Sequence, residues 1–162
     1  MTETAPTSPG VRELSEIELA AWRGFLQAHA QLVKQLDAEL EASHRLPLSS
    51  YEVLLFLSTA PDSRMRMSEL AESVLLSRSG LTRLIDRLER EGLVERSACS
   101  SDKRGWFAAL TDKGRARFHD ARGAHLESVR TGFLEHFSET ELAQLGRLWE
   151  RLLTGESALP SC

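Results

Sequence analysis

Leu76-Ser77-Arg78-Ser79-Gly80-Leu81-Thr82-Arg83-Leu84-Ile85-Asp86-Arg87-Leu88-Glu89-Arg90-Glu91-Gly92 reads as a helix with two unlike faces. Each helical residue advances by about 100°, and on that projection Leu81, Leu84, Ile85 and Leu88 share an arc of about 100°. Arg78, Ser79, Thr82, Arg83, Asp86, Arg87 and Arg90 fill the opposite arc, roughly 180° wide. Ser77 has the side chain of an N-cap, and Gly92 suits the left-handed residue that ends a helix. One face is expected to anchor in a core. The other presents arginine forks and hydroxyls at the N-terminal end, where free N–H groups favour a phosphate, and this chemistry suits reading base edges from the major groove. The alternative is a solvated face of stabilising charge pairs. Asp86 and Arg90 attract at i,i+4 spacing, but Arg83 and Arg87 repel, and a purely structural face gains nothing from that repulsion.

Just upstream, Ser68 stands as an N-cap before Glu69-Leu70-Ala71-Glu72. A short helix ending near Val74 and the arginine-faced helix then make a helix-turn-helix. Just downstream, residues 93–110 break the helical period, with Val94, Trp106, Phe107 and Leu110 flanking the polar loop 100–105. This predicts a β-hairpin whose exposed tip carries Lys103 and Arg104. The combination has the form of a winged helix-turn-helix, in which Arg104 at the tip can enter a narrow minor groove, where negative potential is strongest.

Farther out, Ser15 and Glu18 form a capping-box pair that opens a long amphipathic helix. It carries Trp22, Phe25, Leu26, His29, Leu32, Val33, Leu36 and Leu40, and runs to about residue 43. After Pro47, Ser49 and Glu52 are expected to cap a second helix bearing Val53, Leu54, Phe56 and Leu57. Ala60-Pro61-Asp62-Ser63 is a turn, and Arg64-Met65-Arg66 is at most a three-residue strand. Thr111-Asp112 starts a fifth helix with Phe118, Leu126, Val129 and Phe133 as apolar positions. Ser138 and Glu141 open a last one marked by Leu142, Leu145, Leu148, Trp149 and Leu152. The fold class is therefore mainly α, a winged helix-turn-helix with a two-stranded β-hairpin wing set between N- and C-terminal helices.

The composition narrows the function. A chain of 162 residues, 41% hydrophobic and 27% charged, is a globular chain of about one domain. Its net charge of −4 argues against a polybasic binder. Residues 66–104 hold eight Lys or Arg against seven Asp or Glu, a balance of +1, and the remainder holds 12 against 17, or −5. Affinity for nucleic acid is thus expected from placed arginines, not from a broad field. Cys99 and Cys162 make neither a disulfide framework nor a metal cluster and fit a reducing compartment. No apolar run reaches the roughly 18 residues that a membrane span needs. The opening MTETAPTSPG lacks the basic start and apolar stretch of a signal peptide, so the expected location is the cytoplasm. His29, His44, His119, His125 and His136 have no metal-ligand spacing, and phosphate-binding and nucleophile-elbow motifs are missing. No catalytic residue, metal or cofactor is expected. The competing class is a winged-helix protein-interaction module whose arginine face meets an acidic partner without DNA, since a fold alone does not fix a function.

The run Met67-Ser68-Glu69-Leu70-Ala71, the stretch from Leu76 to Glu89 quoted above and Gly92-Leu93-Val94 together resemble the MarR family of winged-helix transcriptional regulators. Asp102-Lys103-Arg104-Gly105, followed by Leu110-Thr111 and Gly114, is similar to that family's wing signature. These stretches cover roughly a third of the chain, and the helical order extends the likeness over residues 15–153. The resemblance implies a disordered tail at 1–12, an N-terminal dimerisation helix at 13–45 and a DNA-binding module at 46–110. It further implies C-terminal dimerisation helices at 111–154 and a flexible tail at 155–162. It implies a homodimer that binds double-stranded DNA at a pseudo-palindromic operator, usually as a repressor released by a phenolic, lipophilic or oxidising small molecule. Carried over by position, Ser68, Ser77, Arg78, Ser79, Thr82, Arg83 and Arg87 become groove or phosphate contacts. Arg104 becomes the minor-groove arginine, with Asp102 orienting it beside Lys103. Trp22, His29 and Tyr51 are the candidate effector-pocket residues, with Trp106 approaching them; the competing reading makes Trp22 and His29 core or dimer-seam residues. A redox role for Cys99, beside the wing, is the remaining alternative. The family's peroxide-sensing branch carries its cysteine near the start of the first helix, where this chain has none.

Overall fold

The computed structural model describes residues 12–98 and 105–153. Asp102, Lys103 and Arg104, both cysteines and most of the two terminal tails lie outside the described residues. Six α-helices and a small sheet follow in the order α1 (Glu16–His44), α2 (Leu48–Thr59), β1 (Arg64–Arg66), α3 (Met67–Ser73), α4 (Arg78–Arg90), β2 (Val94–Ala98), β3 (Trp106–Leu110), α5 (Asp112–Gly132) and α6 (Glu139–Leu152). Short 3-10 turns at Pro61–Ser63 and Leu134–His136 complete the path.

Three of the expected N-caps are present. Ser15 and Ser138 each form a full capping box with the glutamate three residues on, and Ser77 Oγ accepts from the Gly80 N–H at 3.1 Å. Two others are not caps. α2 begins two residues earlier than Ser49 predicts, with Pro47 in the N-cap position and without a side-chain cap bond. Instead, Asp37 on α1 accepts the Leu48 N–H at 2.8 Å. A carboxylate from a neighbouring helix satisfies a donor that sequence-local reading assigns to the segment's own serine. α3 likewise starts at Met67 after Arg66, whose N–H donates to Glu69 Oε2 at 3.4 Å, which leaves Ser68 inside the first turn. α4 ends as expected, with Gly92 at φ 73°.

The expected two-stranded hairpin is β2 and β3, and a third strand extends its sheet. β3 pairs antiparallel with β2 on one side and with β1 on the other, giving the order β1-β3-β2. The third strand is the three-residue segment Arg64–Arg66, too short to show a period and so to specify its pairing with β3. Inward-facing Val94, Ala108 and Leu110 close the sheet onto a core built from Leu40, Leu46, Tyr51, Val53, Leu54, Leu57, Leu70, Leu81, Ile85 and Leu88. α2 is buried nearly all round and forms the centre, against which α1, α3, α5 and the sheet all pack.

On α5 the buried stripe is Gly114, Phe118, Ala121 and His125, at spacings of four, three and four. It includes Phe118 as expected, but Leu126 and Val129 are only partly covered, and His125 takes the inner position. The His125 ring packs on Tyr51 with centroids 4.3 Å apart, and Tyr51 also meets Phe118 at 5.4 Å. Gly114 sits where β3 turns into α5. A Cβ there would fall 2.0 Å from the Leu93 carbonyl oxygen, closer than any van der Waals contact allows. Thr111 spans the junction, accepting the Gly114 N–H at 2.9 Å and donating to the Gly92 carbonyl at 2.8 Å.

α1 and α6 differ from the rest. Only Leu36 and Leu40 on α1 are buried, while Ile17, Trp22, Phe25, Leu26 and Val33 stay exposed. α6 has no buried residue, and Leu148, Trp149 and Leu152 are exposed. The two helices touch through Phe25 and Trp149, whose ring centroids are 5.7 Å apart.

Two outcomes follow from this packing. Gly114→Ala should lower stability by about 2 kcal/mol, because the Leu93 carbonyl is backbone and has little room to retreat. Denaturant unfolding measures it, and an unchanged midpoint would refute the close approach. Burial holds the His125 imidazole below its ordinary value of 6.5, since the charged form loses its hydration. The unfolded chain then takes up the proton first, so stability is full above about pH 7 and is lost as pH falls through 6.5 towards the folded value. His125→Phe should flatten the loss of urea midpoint between about pH 7.5 and pH 5.5; an unchanged slope would assign it to other groups.

Candidate nucleic-acid interface

α4 presents the face that its amphipathic pattern predicts. Leu81, Leu84, Ile85 and Leu88 are buried, whereas Ser77, Arg78, Ser79, Thr82, Arg83 and Arg90 are exposed. The backbone contacts along this face are local. Thr82 Oγ1 donates to the Arg78 carbonyl at 2.9 Å, Arg83 Nε to the Ser79 carbonyl at 3.4 Å and Arg90 Nε to the Asp86 carbonyl at 3.2 Å. Each guanidinium therefore keeps terminal N–H donors for an outside acceptor, and Thr82 keeps lone pairs. Ser77 and Ser79 hydroxyls lie 3.3 Å apart at the helix start, beside the open backbone donors. With no acidic residue in the first turn, the dipole's positive end faces outward uncompensated.

Arg87 departs from this group. Its guanidinium turns toward α2 and donates to Ser50 Oγ at 2.6 Å. Ser50 is almost fully buried, and a buried hydroxyl needs a partner, so Arg87 is engaged in the fold instead of projecting with Arg83. The Asp86–Arg90 side-chain pair expected from spacing also gives way. Asp86 pairs with Arg96 of β2.

Arg96 is the residue that the sequence reading passed over. It stands opposite Ala108 in the ladder, on the sheet face that meets α4. Its guanidinium donates to Asp86 Oδ1 and to the Thr82 carbonyl at 3.3 Å, and its Nε lies 3.8 Å from Glu89 Oε2. A cue was available: strand alternation from buried Val94 places Arg96 inward, and an inward charge needs partners. Arg64 and Arg66 were also passed over. Both guanidinium groups lie 5.3 Å from the centroid of Phe107, in cation–π contact across the β1–β3 pair.

Between α3, α4 and the sheet lies a cleft of about 470 Å³, lined by Arg66, Ser68, Arg78, Thr82, Arg96 and Trp106 among others. Ser68 is exposed there, so the structure brings it alongside Arg78 and Thr82. The candidate pocket residues are not gathered in this way. Trp22 and His29 each stack on Phe25 along α1, at 6.1 and 6.2 Å. Tyr51 is buried in the core against His125 and Phe118. His29 lines a shallow cavity of about 490 Å³ with Val33, Lys34, Leu48 and Glu52. Burial pushes the Glu52 carboxyl above its ordinary value. Trp106 belongs to the cleft beside α4 and stays half exposed. Among the described residues, no cluster of histidine, cysteine, aspartate or glutamate could hold a metal ion, and no helix is long and apolar enough to cross a membrane.

Comparison with known proteins agrees with this geometry. Residues 46–105 match the sequence pattern of the MarR family. The HTH-type transcriptional repressor YetL of Bacillus subtilis is 31% identical over 115 residues, covering 68% of both chains. Two solved structures from Streptomyces coelicolor superpose closely. AbsC, a MarR family transcriptional regulator, is 35% identical with a TM-score of 0.81, over 88% of this chain and 95% of its own. Sco3205, a MarR family transcriptional regulator solved in complex with DNA, is 31% identical with a TM-score of 0.82, over 93% and 98%. With identities above 30% over most of the chain and the overall fold shared, this chain belongs to the MarR family.

Proposed function

We propose that the protein is a sequence-specific, DNA-binding transcriptional regulator that acts as a homodimeric repressor on a pseudo-palindromic operator. The carrying observation is the division of labour on α4. Four apolar residues hold the helix, while Ser77, Arg78, Ser79, Thr82 and Arg83 are exposed along its N-terminal half. Ser77 and Ser79 with the helix start suit a phosphate; Arg78 and Arg83 suit guanine edges; Ser68 suits the backbone beside them. Arg104, with Asp102 as its orienting partner, is assigned to the adjacent minor groove, and Lys103 is assigned to the same DNA-binding set. The repressor YetL and the DNA-bound Sco3205 support the same reading.

The homodimer reading rests on α1 and α6. Ile17, Trp22, Phe25, Leu26, Leu148, Trp149 and Leu152 form exposed apolar surface on two helices that touch each other. A second copy burying the same faces closes the assembly by two-fold symmetry, which matches a palindromic site with half-sites about one turn apart. For release by a small-molecule effector, the α1–α2 cavity beside His29 offers apolar Val33 and Leu48 next to Lys34 and the raised carboxyl of Glu52.

Selection from random duplex DNA at two salt concentrations tests the reading. A palindrome should be enriched, with affinity falling steeply as salt rises. An intact dimer that enriches no sequence would shift the reading to a protein-interaction module for an acidic partner. On the selected operator, Arg83→Ala should cost about 1–3 kcal/mol and relax preference at one position of each half-site. Arg104→Ala should weaken binding while the dimer stays intact in light scattering. Wild-type binding by both variants would refute the assigned face.

A further inference from the structure

We propose that Arg96 is a positioning residue for DNA reading: it locks the wing sheet to α4 so that the two engage DNA at one fixed angle. The inference rests on the functional reading above and names a residue that does not itself need to touch a base. β2 begins buried at Val94, but Ser97 and Ala98, which lead toward the hairpin tip, are exposed. Arg96 is thus the outermost residue of β2 that is held against the rest of the fold. Its contacts fall on Thr82, Asp86 and Glu89, at spacings of four and three, which is one stripe along α4. The main chain joins in, with the Arg96 N–H donating to Glu89 Oε1 at 3.2 Å.

A planar guanidinium is what such a bridge requires. It offers donors in fixed directions to a carboxylate and a carbonyl at once, whereas an ammonium is a point charge on a flexible stem. The Arg96 side chain is about three-quarters covered, at 23% exposure, so solvent screens its ion pairs less than those of a surface pair. The bridge also neutralises Asp86 and Glu89, two carboxylates on the helix that meets phosphates. Thr82 accepts Arg96 through its carbonyl while its hydroxyl side belongs to the reading face, so the clamp reaches the reading residues through a single backbone unit.

Two effects of losing Arg96 can be told apart. Loss of charge lowers affinity for all DNA alike and varies with salt. Loss of position lowers affinity for the operator alone. Arg96→Lys keeps the charge and removes the fork, and Asp86→Asn keeps an acceptor but removes the negative charge at the opposite end of the bridge. Both should stay folded in thermal melts. For Arg96→Lys, operator affinity should fall about tenfold, while affinity for random-sequence duplex stays within about twofold. Amide exchange of residues 94–98 should accelerate, with α2 and α5 protection unchanged. Asp86→Asn should move operator affinity in the same direction. If wild-type protein selects an operator and Arg96→Lys binds it within about twofold, the positioning role is refuted and the functional reading stands. Equal losses on operator and random DNA would also refute it. If wild-type protein selects no operator, the functional reading fails and the inference with it.

Discussion

The rotation of α4 about its own axis governs everything else in the molecule. Leu81, Leu84, Ile85 and Leu88 are each worth roughly 1.5–3 kcal/mol on burial, and no other rotation of the helix buries all four. Turning the helix by one residue would drive Thr82 or Arg83 into a core with no partner for them. The hydrophobic stripe therefore decides which side chains meet solvent, and the arginine face is its geometric complement. α2 is buried on nearly every side because it must offer an apolar seat to α3, the sheet, α1 and α5 together.

Much of this was legible in the sequence because the information is periodic. Helices of a dozen or more residues repeat their apolar spacing often enough to be found, and Ser15, Ser77 and Ser138 mark their starts through local backbone bonds. What escaped is what other segments decide. The start of α2 depends on Asp37, eleven residues away from the N–H it accepts, and the pairing of the short strand at Arg64–Arg66 depends on Phe107 and its neighbours. On α5 the spacing Gly114, Phe118, Ala121, His125 is a regular stripe, but glycine, alanine and histidine carry little hydrophobicity. Leu126 drew the reading instead. Arg87 lies on the polar arc by projection, yet its long stem lets it reach around to Ser50. The candidate pocket residues were the least legible, because a pocket is a property of three or four segments at once.

The charges follow a comparable logic. The near-neutral balance of residues 66–104 conceals an uneven distribution. Asp86 and Glu89 are drawn to Arg96 on the inner side of the wing, and Glu69 turns back to the Arg66 N–H. Arg78 and Arg83 keep their exposure on the outer side. A small module of nearly zero net charge thus shows one face where positive charge is uncompensated, which suits discrimination by placed contacts over general attraction to polyanions.

The junction at Thr111 gives α5 a mechanical character. β3 ends at Leu110 and α5 begins at Asp112, so one residue separates sheet from helix. With Gly114 pressed on Leu93 and Thr111 bonded to both sides, the joint has little slack. A helix of 21 residues is about 30 Å long, and because α5 also packs on α1 and α2, the joint ties the wing to that helical layer. A tilt of about 5° at the root displaces the far end by about 3 Å, roughly the rise of two helical residues.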